Sequence, residues 1–400
     1  MTKPKTTRAP KPEPFRHTLT SAAENIHGAE WQVTNRTLRL PGAPPWSVRQ
    51  RTLHGGKQEG VQVIEVDNGA LRFTVIPTRG MGILKVEAVK LRLGWDSPVK
   101  EVVHPKFINL QSRGGLGWLE GFNEWLVRCG LESFGAPGPD KFRTATGGEA
   151  SLDLTLHGKI ANIPASEVEV VIDRTPPYRI RVRGRVDERM LFGPQLELWT
   201  EISTEPGATS FRVEDRVHNV GGSEQEFQLL YHVNYGAPLL EAGARFRAAL
   251  KRVTPANAYS AKHIQQFDTY AAPTPGFAEQ VYFMEPIADA TGRTTIMLHN
   301  AAADLGVSMN FALEQLPCLT LWKNTAAVAD GYVTGLEPGT GYPKPRQVER
   351  EAGRVPRLAP GEERRFVTDF ALLTSKAQVG ETGAAIDRLQ GRQRPKLVTG

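Results

Sequence analysis

Short runs of alternating apolar and polar residues, broken by Gly, Pro, Asn or Asp roughly every ten residues, fill the chain between residues 31 and 373. An alternating run predicts a β-strand with one buried face, because successive side chains point to opposite sides of a sheet. In residues 178–186, Ile180, Val182 and Val186 share one face and four arginines occupy the other. Helical spacing is rare, and in residues 118–131 it predicts one or two turns. The pattern therefore predicts an all-β sandwich or barrel with few short helices.

The two ends of the chain lack this pattern. Residues 1–25 are basic and rich in Pro and Thr, and residues 376–400 are similarly polar. Segments of this composition bury little apolar surface and tend to stay peripheral. We therefore predict one large domain over residues 26–375, flanked by two poorly ordered or peripheral tails.

The net charge of +6 suggests a nucleic-acid partner at first, but much of the excess lies in the two ends. The body is close to neutral, and no stretch interleaves aromatic and basic residues as nucleic-acid binders do. We therefore expect no nucleic-acid partner. A monomer or homodimer is expected.

The two cysteines, Cys129 and Cys318, lie far apart in the sequence and do not suggest a disulfide framework, which fits a reducing compartment. No apolar run reaches the roughly 18 residues of a membrane span, and the first thirty residues contain no signal-like apolar core. We predict a cytoplasmic protein without a membrane partner.

Three segments place an ionisable side chain at a strand end beside Gly, Pro or Asn, where a turn can direct it into a cleft. They are LTLHGKIAN around His157, LLYHVNYG around His232 and VTGLEPGTGYP around Glu337. Taken singly, each is a weak indication, because a strand-end histidine is more often structural.

The order of these segments is similar to that in a known family. The succession of LHG, HVN, LEP and LAPGE elements resembles the aldose 1-epimerases of the galactose mutarotase-like superfamily. The sequences PTRGMG, GWDSP, FINL and GFNEWLVRCGL, between residues 77 and 131, resemble the uncharacterised bacterial DUF4432 group more closely. The resemblance spans about residues 55–375 and implies a large antiparallel β-sandwich of the supersandwich type. It also implies a carbohydrate-active enzyme that interconverts sugar anomers without a cofactor.

The resemblance implies roles for the three ionisable side chains. Opening a pyranose requires one group to take the proton of the anomeric hydroxyl and another to protonate the ring oxygen. Glu337 matches the family's base, and a glutamate with an ordinary pKa of about 4.3 is ionised at neutral pH. His232 matches the acid, since a histidine has an ordinary pKa of about 6.5. His157 is expected to hydrogen-bond the sugar.

Two departures from the family pattern concern the pocket. Asn234 follows His232 by two positions, where the family has its Asn four positions on. The family's GRYANR element is absent, so an arginine for sugar hydroxyls must come from elsewhere, and Arg79, Arg113 and Arg128 are the candidates. Several arginines in one pocket would favour an anionic sugar.

Further substrate contacts are predicted from residue type. Sugars stack on aromatic rings, and polar groups in turns can bind hydroxyls, although a core or capping role explains the same residues. The tryptophan candidates are Trp322, Trp95, Trp118 and Trp125, and the polar candidates are Asn234, Asp96, Asn123 and Glu124.

Other interpretations stay open. The same acid and base could epimerise, isomerise or β-eliminate an oxidised or acidic sugar, and the fold could equally serve a non-catalytic carbohydrate-binding protein. A two-His, one-carboxylate metal set lacks the usual local spacing, so no metal is predicted. The glycine-rich pieces lack a nucleotide-loop pattern. Glu214, Asp215 and His218 are predicted to form a solvated face.

Overall fold

A computed structural model describes residues 12–40, 42–144 and 146–399, and β-strands dominate it. The strands are β1 (Phe15–Ser21), β2 (Ile26–His27), β3 (Trp31–Thr34), β4 (Ser47–Leu53), β5 (Val61–Asp67), β6 (Leu71–Ile76), β7 (Gly82–Ala88), β8 (Leu91–Leu93), β9 (Leu126–Leu131), β10 (Gly138–Arg143), β11 (Glu149–Leu154), β12 (Glu167–Ile172), β13 (Ile180–Arg189), β14 (Gln195–Thr204), β15 (Ser210–Asn219), β16 (Gln225–Glu226), β17 (Gln228–Tyr235), β18 (Arg245–Ala248), β19 (Leu250–Pro255), β20 (Gln280–Pro286), β21 (Arg293–His299), β22 (Gly306–Ala312), β23 (Cys318–Asn324), β24 (Val333–Gly339), β25 (Arg357–Leu358), β26 (Glu363–Leu373) and β27 (Lys396–Leu397). The α-helices are α1 (Ser112–Gly115), α2 (Ala258–Lys262), α3 (Arg346–Glu351) and α4 (Lys376–Gln390).

Two large sheets carry most of these strands. The ten-stranded sheet has the order β18-β21-β22-β26-β15-β14-β13-β12-β1-β2. The thirteen-stranded sheet has the order β27-β19-β20-β23-β24-β17-β9-β7-β6-β5-β4-β3, with β8 paired to β7. The pairing is antiparallel except between β19 and the two-residue β27. The hairpin β10–β11 and the pair β16–β25 form two small sheets.

The two large sheets pack face to face around one apolar core. Aromatic rings from opposite sheets meet in this core. The ring centroids of Phe73 and Phe211 are 5.5 Å apart, and those of Trp125 and Phe370 are 5.0 Å apart. The alternation predicted in β13 is confirmed, because its apolar positions are buried and its arginines lie on the other face. The predicted all-β, largely antiparallel sandwich with few short helices is therefore confirmed.

The predicted solvated face on β15 is wrong for one residue. Asp215 is fully buried, where its carboxylate accepts hydrogen bonds from Arg128 (2.6 Å), Tyr231 (2.7 Å) and Thr200 (2.7 Å). Alternation sends Glu214 and His218 to the outer face, and Asp215 to the core. A buried carboxylate is tolerated only when it is paired and hydrogen-bonded, and here its partners come from both sheets.

The predicted tails also differ from the structure. Residues 1–11 lie outside the described residues, but β1 pairs with β12 and contributes the fully buried Leu19 to the core. At the other end, α4 is capped by Ser375 and buries Val379 and Ile386 against Met297. One buried leucine docks the N-terminal segment, and a narrow apolar stripe docks α4. Such small apolar sets are hard to recognise in a polar sequence.

The helical turns predicted in residues 118–131 are confirmed only in part. A 3-10 helix occupies Gly117–Gly121, and the strand β9 begins at Leu126. Within the described ranges, none of the helices has the length and apolar character that crossing a bilayer requires.

Candidate active site

The candidate site lies on the outer face of the thirteen-stranded sheet, opposite the sandwich core. All residues of β17 are buried, because Tyr231 and Val233 face the core while His232 and Asn234 point the other way. The neighbouring strand β24 pairs with β17 so that Gly335 lies opposite Asn234. This register brings Glu337 of β24 next to His232.

The structure brings the three predicted ionisable side chains together. Nε2 of His232 lies 3.2 Å from Oε1 of Glu337, and the ring of His157 lies 5.4 Å from that of His232. His157 follows β11 in a left-handed backbone conformation (φ 58°), and the amide of Gly130 on β9 donates to its carbonyl. This backbone hydrogen bond holds the loop that carries His157 against the sheet.

Aromatic rings surround the imidazoles. The ring centroid of Trp118 lies 4.7 Å from that of His157. The ring centroids of Phe122 and Trp322 lie 5.1 and 5.5 Å from that of His232. His157 is 9% exposed, His232 5% and Glu337 2%. The site is therefore an apolar-walled, nearly sealed cluster, in the kind of environment that shifts pKa values strongly.

Burial changes the expected charge states. The pKa of Glu337 is raised well above its ordinary value by burial, and the charge of Glu279 adds to the rise. Burial lowers the pKa of His232 to about 4 despite a hydrogen bond with Asn234 that acts in the opposite direction. The pKa of His157 is lowered well below its ordinary value by burial and by His232. Ordinary pKa values imply an ionised Glu337 beside a protonated His232, whereas burial in this enclosed site favours the neutral form of each group.

Asn234 contacts Nδ1 of His232, whereas Glu337 lies near Nε2 of the same ring. Its Oδ1 is 2.6 Å from Nδ1 of His232, and its Nδ2 donates to the carbonyl oxygens of Glu124 (3.0 Å) and His232 (3.2 Å). All its polar atoms are thus engaged within the protein. Asn234 contacts the imidazole directly.

Arg79 and Glu124 form a buried ion pair, and the backbone carbonyl of Glu124 contacts Asn234. Nη2 of Arg79 donates to Oε1 of Glu124 at 2.7 Å, and other donors of Arg79 reach the carbonyl oxygens of Val103 and Gly121. The carbonyl of Glu124 accepts from the indole of Trp95. These contacts attach the segment between β8 and β9 to Arg79, and the charge of Arg79 is paired with that of Glu124.

The remaining predicted residues lie away from the cluster. Arg128 points between the sheets to Asp215, Asp96 is half exposed and paired with Arg92, and Arg113 is exposed. The amide of Asn123 donates to the carbonyl oxygens of residues 99 and 101. Of the tryptophans, Trp125 lies in the core between the sheets.

Sequence reasoning missed two residues of the site. Glu279 precedes β20 and accepts a 2.7 Å hydrogen bond from the indole of Trp322. Thr320 faces Glu337 across the β23–β24 pairing, with its buried hydroxyl unpartnered among the described residues. Neither has a local motif. The strand register reveals Thr320, and the hydrogen bond from Trp322 reveals Glu279.

Gly335 makes room for the pair. A Cβ at this position would lie 2.5 Å from Oε1 of Glu337 and 3.1 Å from Cε1 of His232. We expect Gly335→Ala to cost about 1–3 kcal/mol of folding free energy, because the added methyl group has no room beside the buried pair. Urea denaturation should show this, while Gly222→Ala, where a Cβ meets nothing within 4 Å, should leave the stability nearly unchanged. Equal stabilities for the two variants would contradict this role of Gly335.

Among the described residues, no group of three or more His, Cys, Asp or Glu side chains is arranged to hold a metal ion. A surface groove of about 1020 Å³ lies elsewhere. It is lined by parts of β10, β11 and the β13–β14 turn and does not include the His232–Glu337 pair.

Comparison with known proteins identifies the family. The family model of DUF4432, a domain of unknown function, matches residues 58–372. The chain belongs to the DUF4432 family. No curated protein matches it.

Solved structures place this DUF4432 protein among galactose mutarotase-like folds. A provisionally assigned aldose 1-epimerase from Klebsiella pneumoniae subsp. pneumoniae MGH 78578 is 42% identical, with a TM-score of 0.91, over 97% of this chain and 98% of its own. A galactose mutarotase-like protein from Clostridium acetobutylicum is 12% identical, with a TM-score of 0.53, over 86% of this chain and 98% of its own. The galactose 1-epimerase from Lactobacillus acidophilus NCFM is 10% identical, with a TM-score of 0.50, over 81% and 98%. The last two show the shared fold alone.

Proposed function

We propose that this DUF4432 protein is a carbohydrate-active enzyme that interconverts the anomers of an aldose. The observation that carries the proposal is the 3.2 Å approach of Nε2 of His232 to Oε1 of Glu337, beside His157, on an apolar-walled sheet face. Anomer exchange needs a proton acceptor and a proton donor at adjacent oxygens of one sugar. A histidine–carboxyl pair with one transferable proton supplies both. The name of the 42% identical structural relative, a provisionally assigned aldose 1-epimerase, supports the same reaction.

Unsatisfied polar atoms indicate how a sugar would be held. Among the described residues, Nδ1 of His157, Oγ1 of Thr320 and Oε1 of Glu337 are buried without a hydrogen-bond partner. Such atoms are costly unless a ligand or water completes them, and sugar hydroxyls can do so. Trp118 and Trp322 offer apolar ring faces for the sugar's C–H groups. Because the pair is nearly sealed, sugar entry requires some of these covering groups to move.

The charges around the pair favour a neutral sugar over an acidic one. Arg79 is bound to Glu124 and Arg128 to Asp215, so neither is available for a substrate carboxylate. Glu279, hydrogen-bonded to Trp322, adds negative charge at the rim. A carboxylate accepts hydrogen bonds from sugar hydroxyls and repels an anionic sugar. This arrangement supports anomer exchange of a neutral aldose over the alternative reactions on acidic sugars.

Exchange NMR tests the reaction and its substrate class together. We expect the protein to accelerate exchange between the α and β anomers of glucose or galactose, and to act at least about tenfold less well on glucuronate or galacturonate, because of the charge of Glu279. Glu279→Lys should shift this ratio toward the uronates, whereas Glu314→Lys, at an exposed glutamate, should not. Equal rates for neutral and acidic sugars would contradict the substrate class. Sugar binding without any acceleration would indicate a binding protein instead.

A further inference from the structure

The contacts of Asn234 determine which nitrogen of His232 carries the ring proton. The amide of Asn234 is oriented independently of the imidazole, because its Nδ2 donates to the carbonyl oxygens of Glu124 at 3.0 Å and His232 at 3.2 Å. A nitrogen between two carbonyl acceptors leaves Oδ1 to face the ring, and Oδ1 can only accept. Since it lies 2.6 Å from Nδ1 of His232, Nδ1 must be the donor.

The other ring nitrogen then has a fixed role. In a neutral imidazole with its proton on Nδ1, Nε2 carries a lone pair and is an acceptor. This lone pair lies on the side of Glu337, with Nε2 and Oε1 3.2 Å apart. A lone pair facing an ionised carboxylate is unfavourable, so the transferable proton of the pair belongs on the carboxyl group. The directions in which burial moves the two pKa values agree with this state.

The groups around the pair support the same distribution of charge. The ring of His157, on the loop after β11, is kept neutral by burial, which lowers its pKa. The thiol of Cys129 on β9 is also neutral, since burial and the nearby carboxyl groups raise its pKa. Glu279, on the loop before β20, brings a negative charge, which favours a protonated Glu337.

We propose that Asn234 is a positioning residue that holds His232 as the Nδ1–H tautomer, so that in the resting site His232 accepts a proton and Glu337 donates one. This assignment reverses the roles implied by the family resemblance, and it rests on the proposed anomer exchange. In the ring-opening step, the proton of the anomeric hydroxyl passes to Nε2 of His232. The bond between C1 and the ring oxygen breaks, C1 becomes the carbonyl carbon, and the ring oxygen takes the proton of Glu337.

The open-chain aldehyde then turns about the C1–C2 bond and closes on its other face by the same transfers in reverse. His232 returns its proton to the new anomeric oxygen, and Glu337 regains its proton from the sugar hydroxyl. The protons balance over the cycle, and no co-reactant is needed.

Nitrogen-15 NMR of histidine-labelled protein tests the tautomer without reference to activity. The His232 signals are identified by their loss in His232→Gln. At neutral pH, we expect Nδ1 of His232 to show the shift of a protonated ring nitrogen and Nε2 that of an unprotonated one. A proton on Nε2, alone or together with Nδ1, would overturn the assignment even if the enzyme proved active. Conversely, an inactive protein with the expected tautomer would count against the proposed function alone.

Two variants separate positioning from mere support of the fold. Asn234→Leu removes the acceptor, so the proton should move toward Nε2 and the exchange rate should fall by at least about tenfold. Asn234→Asp keeps an acceptor and should keep the tautomer. Its negative charge stabilises the imidazolium, so the acid limb of the pH–rate profile, which reflects protonation of His232, should move to higher pH. If Asn234→Leu retains both the tautomer and the rate, or Asn234→Asp leaves the acid limb unmoved, Asn234 is not a positioning residue.

Discussion

Glu337→Gln is expected to lower the rate of anomer exchange by about 10²–10⁴-fold, the usual contribution of a positioned proton-transfer group. Glutamine has nearly the same shape but cannot exchange a proton with His232 or with a sugar oxygen. The rate is measured by exchange NMR with a neutral aldose. Glu314→Gln, at an exposed position, serves as the matched control and should retain the wild-type rate.

The stability of the same variant provides an independent check on the enclosed site. Burial raises the pKa of Glu337 above its unfolded value, so the wild type gives up stability as pH rises through the folded pKa, while Gln does not titrate. The free energy of unfolding of Glu337→Gln relative to wild type should therefore increase from acid to neutral pH. Urea denaturation across this range measures it. Unchanged exchange in Glu337→Gln would remove the proposed mechanism, and a pH-independent difference would show that Glu337 is not held in its protonated form.

Asp215→Asn should cost about 3–5 kcal/mol of folding free energy, because it leaves Arg128 as a buried charge without its counterion. Both side chains are fully buried, and Nε of Arg128 lies 2.6 Å from Oδ2 of Asp215. The same carboxylate also accepts from Tyr231 and Thr200, so the pair connects β9 and β17 with the opposite sheet. Urea denaturation provides the measurement.

A surface ion pair on the same sheet is the matched control. Asp369 pairs with Arg212 and Arg293 on the outer face and keeps 34% of its side chain exposed. Exposed pairs contribute little, so Asp369→Asn should cost no more than about 1 kcal/mol. Replacing Arg128 by Met together with Asp215 by Leu should recover much of the loss, since no charge is then left unpaired. A loss for Asp215→Asn as small as that for Asp369→Asn would refute the account of this pair.

The charged residues show where local pattern stops being informative. Alternation along β15 already places Asp215 with Val213 and Val217, but it cannot name a partner that lies 87 residues away. In β9 every residue is buried, so burial on both faces removes the alternation that would show where Arg128 points. Two arginines expected to bind a sugar are therefore held by carboxylates of the protein.

The candidate site divides in the same way. The Leu-His-Gly, His-Val-Asn and Leu-Glu-Pro segments were sufficient to select His157, His232 and Glu337, through the family resemblance. The roles of Gly335 and Glu279 have no local pattern, because they depend on strand register and on a loop from another part of the chain.

By itself, the sequence determined the strand content, the sandwich class and the family, because period-two alternation and short motifs are local properties of the chain. Only the tertiary structure decided the partners of the buried arginines, the docking of both chain ends and the enclosure of the His232–Glu337 pair. These depend on which distant groups meet out of contact with water, since the energies of charges and hydrogen bonds are set by the surroundings rather than by residue type.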